Sequence, residues 1–500
     1  GALKGLYTDS TSSQQTYSNT LTSFVSNGFT LGADGSNGVN LSIDKYASFT
    51  FRKKKKFFDI VTYTGNSGTS QTIAHGLNGP VGMILVKSYA GASASQNWMV
   101  FHAGNGATKY QVLNDTTAAA TATSVWNDTA PTDTHFTVGS DSSVNNSNKT
   151  YIAYLFADNS SEDADDQMIK CGTYNGTGAN QNIDLGWEAQ WVLVKATIGT
   201  NSWAMFDTMR GMPTEGMDGS QRLKAESNVA ETELGPSGGI SAHSRGFTAK
   251  GGSGTYNQSG NSYIYMAIRA PMMKKPEAAT DVFAVSNNAS ASSPAFESTF
   301  PVDMLIADYM TTPYSWMETN ETGTRLTQGK KLLTNTTAAE ASDSNFKFDF
   351  MDGAYNGSGA SNYIGYMWKR AKGFMDAVAY SGNGTAGRTM PHSLSVIPEM
   401  IWFKSRNNAY NWYVYHKDTG IDKRLVLDGN DGTETGYGTL VFNNTQPSSS
   451  VITLGSWGVI NGSGNNNIAY LFATLAGISK VGSYTGNGSS QTISCGFSAG

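Results

Sequence analysis

The sequence predicts an all-β protein of tandem antiparallel β-sandwich modules, jelly-roll or lectin-like, strung into an elongated array. Three observations point there. Only 15% of the 500 residues are charged, while 56 are glycine and 12 proline, so turn-forming and small polar residues stand where surface charge usually does. Aromatic residues still make up 11%, too many for a disordered polar chain. One ordered set of apolar strings also recurs along the chain, with a period of about a hundred residues. Strong helix formers are thin, which excludes a coiled coil or helical bundle.

The repeat defines the elements in order. An opening strand at 58–65 returns at 169–176, 375–382 and 481–486, with a degenerate copy at 281–287. Its central residues Tyr63, Tyr174, Val285, Tyr380 and Tyr484 are 111, 111, 95 and 104 residues apart. About twenty residues on comes an apolar strand ending in Lys87, Lys195, Asp308 or Lys404. Trp98, Trp203, Trp316 and Trp412 follow, and each copy closes on an aromatic strand at 151–156, 263–268, 363–368 or 468–472. A unit of this length suits an independently folding sandwich and is too long for a solenoid repeat. The expected organisation is complete modules at 57–167, 168–277, 278–373 and 374–477. Residues 1–56 read as the closing part of an incomplete module, with strands at 28–32 and 46–51, and 478–500 as the start of a truncated one. The chain is thus expected to be a piece of a longer array. Asn356-Gly357 and Asn461-Gly462 read as hairpin turns, since both residue types tolerate positive φ.

Charge and cysteine exclude several classes. A formal net charge of −5 does not suit a polyanion binder, so no nucleic-acid partner is expected. Cys171 and Cys495 are too few for a disulfide framework or a cysteine zinc site. No apolar run approaches the roughly 18 residues of a membrane span, and the start lacks the form of a signal peptide. Basic residues gather at the module junctions: Arg52, Lys53, Lys54, Lys55 and Lys56, then Arg269, Lys274 and Lys275, then Lys369, Arg370 and Lys372. Their recurrence at one module position predicts solvated connectors, paired with acids such as Glu162, Asp163, Asp165 and Asp166.

No catalytic, cofactor or metal site is expected. The run 382–387 has the form G-x-G-x-x-G but is followed by Pro391, and Gly486-Asn487-Gly488 repeats it as a strand-to-strand turn. Gly235-Pro236-Ser237-Gly238-Gly239 matches a nucleophile elbow, near His243, but lies in a glycine loop. His102 and His416 recur four residues after a repeat tryptophan, whereas the module at 168–277 carries Asp207 there. That exchange suits a satisfied polar group at a strand end better than a catalytic base. Asp218, Glu226, Glu231 and Glu233 cluster in one loop, read as solvated, and no Asn/Asp loop shows a defensible calcium spacing. Trp98, Trp203, Trp316 and Trp412 are the weak candidates for glycan contact. Their fixed place in every module favours packing instead. The most divergent loops, 209–245 and 417–438, are the better place to seek a sugar site.

These strings resemble a repeated module of tailed-bacteriophage structural proteins, common in marine phage genomes and often left as a domain of unknown function. Its opening "FDVVTYTGNG" is matched at 57–66 and 375–384, its "GFTLG" at 28–32, and its closing "GNTYIAYxF" at 148–156 and 465–472. The resemblance is weakest over 278–350, where Asp308 replaces the usual lysine. It implies a non-enzymatic virion component on the tail or capsid exterior: a tail fibre or tail-associated appendage, with capsid decoration as an alternative. It also implies other virion proteins as partners and a homo-oligomer, a trimer for a fibre. A host-surface carbohydrate-binding adhesin is the second reading, and a glycan depolymerase the last.

Overall fold

The computed structural model describes residues 2–26, 28–33, 38–42, 46–159, 167–213, 220–235, 238–243, 245–270, 273, 275–287, 294–309, 320–327, 329–348, 350–355 and 363–497. It is all-β and antiparallel, and one six-stranded topology recurs four times. In the first large sheet the spatial order is opening strand Phe58–Thr64, closing strand Lys149–Ala157, lysine strand Val81–Gly91, tryptophan strand Met99–His102, then edge strands Lys109–Val112 and Ala120–Thr121. The fourth repeats it with Met375–Ser381, Asn466–Phe472, Met400–Ser405, Tyr413–His416, Lys423–Val426 and Glu434–Thr435. Sheets with the same order lie at 169–269 and 283–368. The lysine, tryptophan and edge strands form a meander, and the closing strand returns between opening and lysine strands. Phe156 thus lies opposite Phe58, and the chain leaves each module beside where it entered.

Side chains alternate across each sheet with period two. In the fourth sheet Val378, Tyr380, Ile401, Phe403, Tyr413, Tyr415, Ala469 and Leu471 face one way. They pack on Met390, Ile452 and Leu454 of a small sheet formed by Arg388–Pro391 and Val451–Leu454, completing a sandwich. The opposite face is also buried: Ala377, Trp412, Ile468 and Tyr470 gather with Val282, Met304 and Leu332 of the preceding module. Burial on both faces explains why the strands read as continuous apolar runs rather than alternating ones.

The chain falls into two compact units. One holds 1–212, 219–240 and 248–270; the other holds 213–218, 241–247 and 271–500. Each contains two of the large sheets.

Some expectations are corrected. Residues 46–51 form no strand, and 481–497 none either; among the described residues neither segment has a closing or opening partner to pair with. Asn461-Gly462 is no hairpin turn: Asn461 ends the one-turn helix Gly458–Asn461, and its side chain is buried. Asn356-Gly357 lies outside the described residues. Two further one-turn helices, Thr123–Trp126 and Gly438–Phe442, end on left-handed Asn127 and Asn443 and bury Trp126 and Phe442.

Each described junction folds as one tight turn, bridged by Lys54 to Phe58, Ala371 to Met375 and Leu475 to Ser479. The left-handed position is glycine in two copies, Gly373 and Gly477, but Lys56 at φ 58° in the first. Relief of that strain is partly offset by the greater chain entropy of glycine. Lys56→Gly is therefore expected to stabilise the protein by about 1 kcal/mol or less, read as a higher thermal midpoint.

Candidate functional site: an interface between modules

The repeat's lysine and tryptophan point out of their sheet by strand alternation, onto the chain segment that precedes their module. Each indole N–H donates to a backbone carbonyl there: Trp98 to Tyr7 at 2.8 Å, Trp203 to Val112 at 2.8 Å, Trp412 to Leu333 at 2.9 Å. Each lysine ammonium donates to the carbonyl four residues further on: Lys87 to Thr11 at 2.7 Å, Lys195 to Thr116 at 2.7 Å, Lys404 to Thr337 at 2.8 Å. A third bond runs the other way, three residues later again. The N–H of Gln14, Ala119 and Glu340 donates to the carbonyl of Tyr89, Thr197 and Arg406, at 3.0, 3.0 and 2.7 Å. One three-point joint is thus built three times.

Within the module the lysine is held by a second carbonyl, of Gln96, Asn201 or Tyr410, and its ammonium lies 5.9 Å from the indole centroid in all three copies. The tryptophan backbone N–H is accepted by Asn114, Glu226 or Asp428 at 2.8, 3.0 and 2.9 Å. The last joint adds a buried fork in which Arg406 donates to both carboxylate oxygens of Glu340, at 2.9 and 2.6 Å.

Burial lowers Lys87, Lys195 and Lys404 to about 8. An unfolded lysine keeps its proton to about 10.4. Between those values the unfolded chain holds protons the folded chain has released, so stability rises with pH across that window and is flat with respect to these groups below it. Calorimetry at pH 7 and pH 9.5 should therefore show a larger upward shift, or smaller loss, in the wild type than in Lys404→Met, which lacks one of these titrations.

The structure places the remaining sequence candidates plainly. Trp98, Trp203 and Trp412 are 3%, 1% and 0% exposed, so these three indoles seal joints and offer no face to a sugar ring; Trp316 lies outside the described residues. They pack between modules as well as inside one. His102, His416 and Asp207 share a local role, since each accepts a backbone N–H of the turn that follows: Gly104 at 3.1 Å, Asp418 at 3.2 Å and Arg210 at 2.9 Å. That explains why histidine and aspartate exchange. The other ring nitrogen of His102 meets the Tyr265 carbonyl of the next module at 3.0 Å, and burial lowers its pKa to about 4.

Glu226 belongs to the joint and Glu231 pairs with Arg210 at 2.6 Å, while Glu233 is exposed; Asp218 lies outside the described residues. The run 382–387 is a turn between strands, with Gly384 and Gly387 at positive φ and no helix after it. Gly235 and Gly238 sit between strands Thr232–Leu234 and Ile240–His243, and Pro236 and Ser237 are outside the described residues. Among the described residues, no three His, Cys, Asp or Glu side chains are grouped to hold a metal ion.

At the junctions the acids are those of the opening strands. Lys53 pairs with Asp59 at 2.9 Å and Arg370 with Asp376 at 2.7 Å. The same carboxylates accept the N–H of Gly76 and of Ser393, both at 2.7 Å. Lys53 is 60% exposed at its side chain, so its pair contributes little, whereas the Asp376 side chain is fully buried. Arg269 donates to the Gln167 carbonyl at 3.2 Å. Arg52, Lys54, Lys55, Lys56 and Lys275 are exposed, and Lys369 and Lys372 half-buried. Lys274, Glu162, Asp163, Asp165 and Asp166 lie outside the described residues.

Sequence reading missed a buried asparagine six or seven residues before the start of the closing aromatic string. Asn145, Asn257 and Asn461 donate to the carbonyls of Gly139, Ala249 and Gly455 at 2.9, 2.9 and 2.6 Å and accept from Asn66, Thr177 and Asn383 at 2.8, 3.0 and 3.2 Å. Its fixed spacing to Tyr151, Tyr263 and Asn467 was the available signal.

The module at 278–373 departs from the pattern. Asp308 occupies the lysine position and accepts the N–H of Tyr309 at 2.9 Å. The boundary between the two compact units at 270/271 falls immediately before this module. No curated protein and no solved structure matches the chain. A family model matches residues 1–271 and 373–499 and passes over the module with Asp308. The chain therefore belongs to the family described as a domain of unknown function, DUF7483.

Proposed function

We propose that this protein is a non-enzymatic structural component of a phage particle, a tail fibre or tail-associated appendage built of repeated β-sandwich modules. One observation carries the reading: the residues that define the repeat are used to join modules. Lys87 and Trp98, with their counterparts Lys195, Trp203, Lys404 and Trp412, bind backbone carbonyls of the preceding segment and are buried there. A joint that reads backbone rather than side chains tolerates sequence drift in the neighbour, which suits an array copied by duplication. It also holds in high salt, because ammonium-to-carbonyl bonds in a buried site are poorly screened. The resemblance to phage modules supplies the particle.

Immunogold labelling of virions with antibodies against the chain tests this. Label along a tail appendage is expected. Label over the capsid lattice would favour a decoration role, and unlabelled particles from an infection that expresses the chain would remove the virion reading. Glycan binding by the loops at 209–245 or 417–438, if measured on an array with the intact chain, would move the reading to an adhesin.

A further inference from the structure

We infer that the outer edge of the fourth module, residues 425–433, is a docking surface for another module of this repeat, which would insert a lysine and a tryptophan into it. The inference rests on the reading of the repeats as modules that join one another and names what an edge with no module docked on it accepts.

The acceptor set is present and in register. Val426 pairs with Tyr413 as Val112 pairs with Met99, and the N–H of Leu427 bonds to the Trp412 carbonyl as that of Leu113 bonds to Trp98. This alignment makes the Val426 carbonyl the counterpart of Val112, which receives an indole, and the Asn430 carbonyl the counterpart of Thr116, which receives an ammonium. Thr433 N–H is then the counterpart of Ala119 and Glu340. Among the described residues neither the Asn430 carbonyl nor the Thr433 N–H has a partner. His416 Nε2, whose counterpart in His102 meets the next module's closing strand, has none either.

Burial marks the difference between a filled and an open edge. Leu113 is 3% exposed beneath the module that docks on it, and Leu427 is 38% exposed. Gln111 and Leu332 are 1% and 3% exposed in their joints, while their counterpart Leu425 is only half-buried. Residues 481–497 repeat the opening pattern of the first module, yet Ile493 and Phe497 are 45% and 49% exposed where Ile73 and Leu77 are 6% and 0%. Among the described residues nothing covers those two side chains as Ile73 and Leu77 are covered.

Amide hydrogen exchange tests the surface. In the chain as it stands, Thr433 N–H is expected to exchange at least about tenfold faster than Ala119 and Glu340 N–H. Two extended chains then supply the occupant: residues 1–484 followed by a second copy of 64–167, and residues 1–484 followed by a second copy of 381–477. Slowing of Thr433 by about tenfold or more in an extended chain supports the inference, as does loss of that slowing when the added lysine and tryptophan are replaced by alanine. Thr433 already as protected as Ala119 in the unextended chain would overturn it. So would an extension whose own closing strand is protected while Thr433 stays fast, or two extensions that both remain unprotected throughout. Failure to label virions would leave all of these results unaffected, so the two readings fail separately.

Discussion

Replacing Trp412 with alanine is expected to cost about 3–5 kcal/mol, the range for emptying a fully buried indole site. The ring is completely buried, packs among Val282, Met304, Leu332, Ile468 and Tyr470, and stacks on Tyr470 with centroids 6.0 Å apart. Its removal leaves the Leu333 carbonyl without its donor and bares one side of the Lys404 ammonium. The loss should fall on the joint. The inner core of the fourth module, built on Phe403, Tyr413 and Leu471, lies on the other face of the sheet. Calorimetry should therefore show the 278–477 region separating into two transitions where the wild type has one. Trp412→Phe should lose less, because it keeps most of the buried area and gives up the hydrogen bond.

Asn461→Ala is expected to destabilise the fourth module by about 3 kcal/mol, because it strands several backbone groups away from water. The side chain is completely buried, gives hydrogens to the carbonyls of Gly455 and Thr385 at 2.6 and 3.0 Å, and accepts the Asn383 N–H at 3.2 Å. The methyl group of alanine has no polar atom to meet any of the three. Asn461→Asp should be at least as harmful, since a carboxylate facing two carbonyl oxygens can donate to neither. Urea unfolding followed by tryptophan fluorescence would read both variants. Equal stability of Asn461→Asp and wild type would show that the asparagine does not pin the turn.

The sequence made some of this legible and hid the rest for a physical reason. Apolar runs, glycine-rich turns and a period of about a hundred residues led to repeated antiparallel sandwiches, because strand alternation and turn chemistry are written in side chains. The burial of Trp98, Trp203 and Trp412 followed from their fixed place in the repeat. The joint did not follow, because its acceptors are backbone carbonyls 79 to 91 residues away from the indoles. Tyr7, Val112 and Leu333 carry no common hydrogen-bonding side chain, as a carbonyl acceptor needs none. Only the threonine at Thr11, Thr116 and Thr337 hints at a common site. The tryptophans were therefore weighed as sugar platforms, a role their burial rules out for the three described. Asp207 in place of His102 pointed to a satisfied polar group, and both accept a turn N–H; which N–H it is, residue type alone does not reveal.

One lysine–tryptophan joint, built three times, ties a module to the chain segment that precedes it. Amide exchange of Gln14, Ala119 and Glu340, followed in Trp98→Ala, Trp203→Ala and Trp412→Ala, tests it most directly, because each N–H is the third point of one joint. The expected result is selective: the first variant loses protection at Gln14, the second at Ala119 and the third at Glu340, each leaving the other two unchanged. Protection kept at all three sites in all three variants would contradict the account.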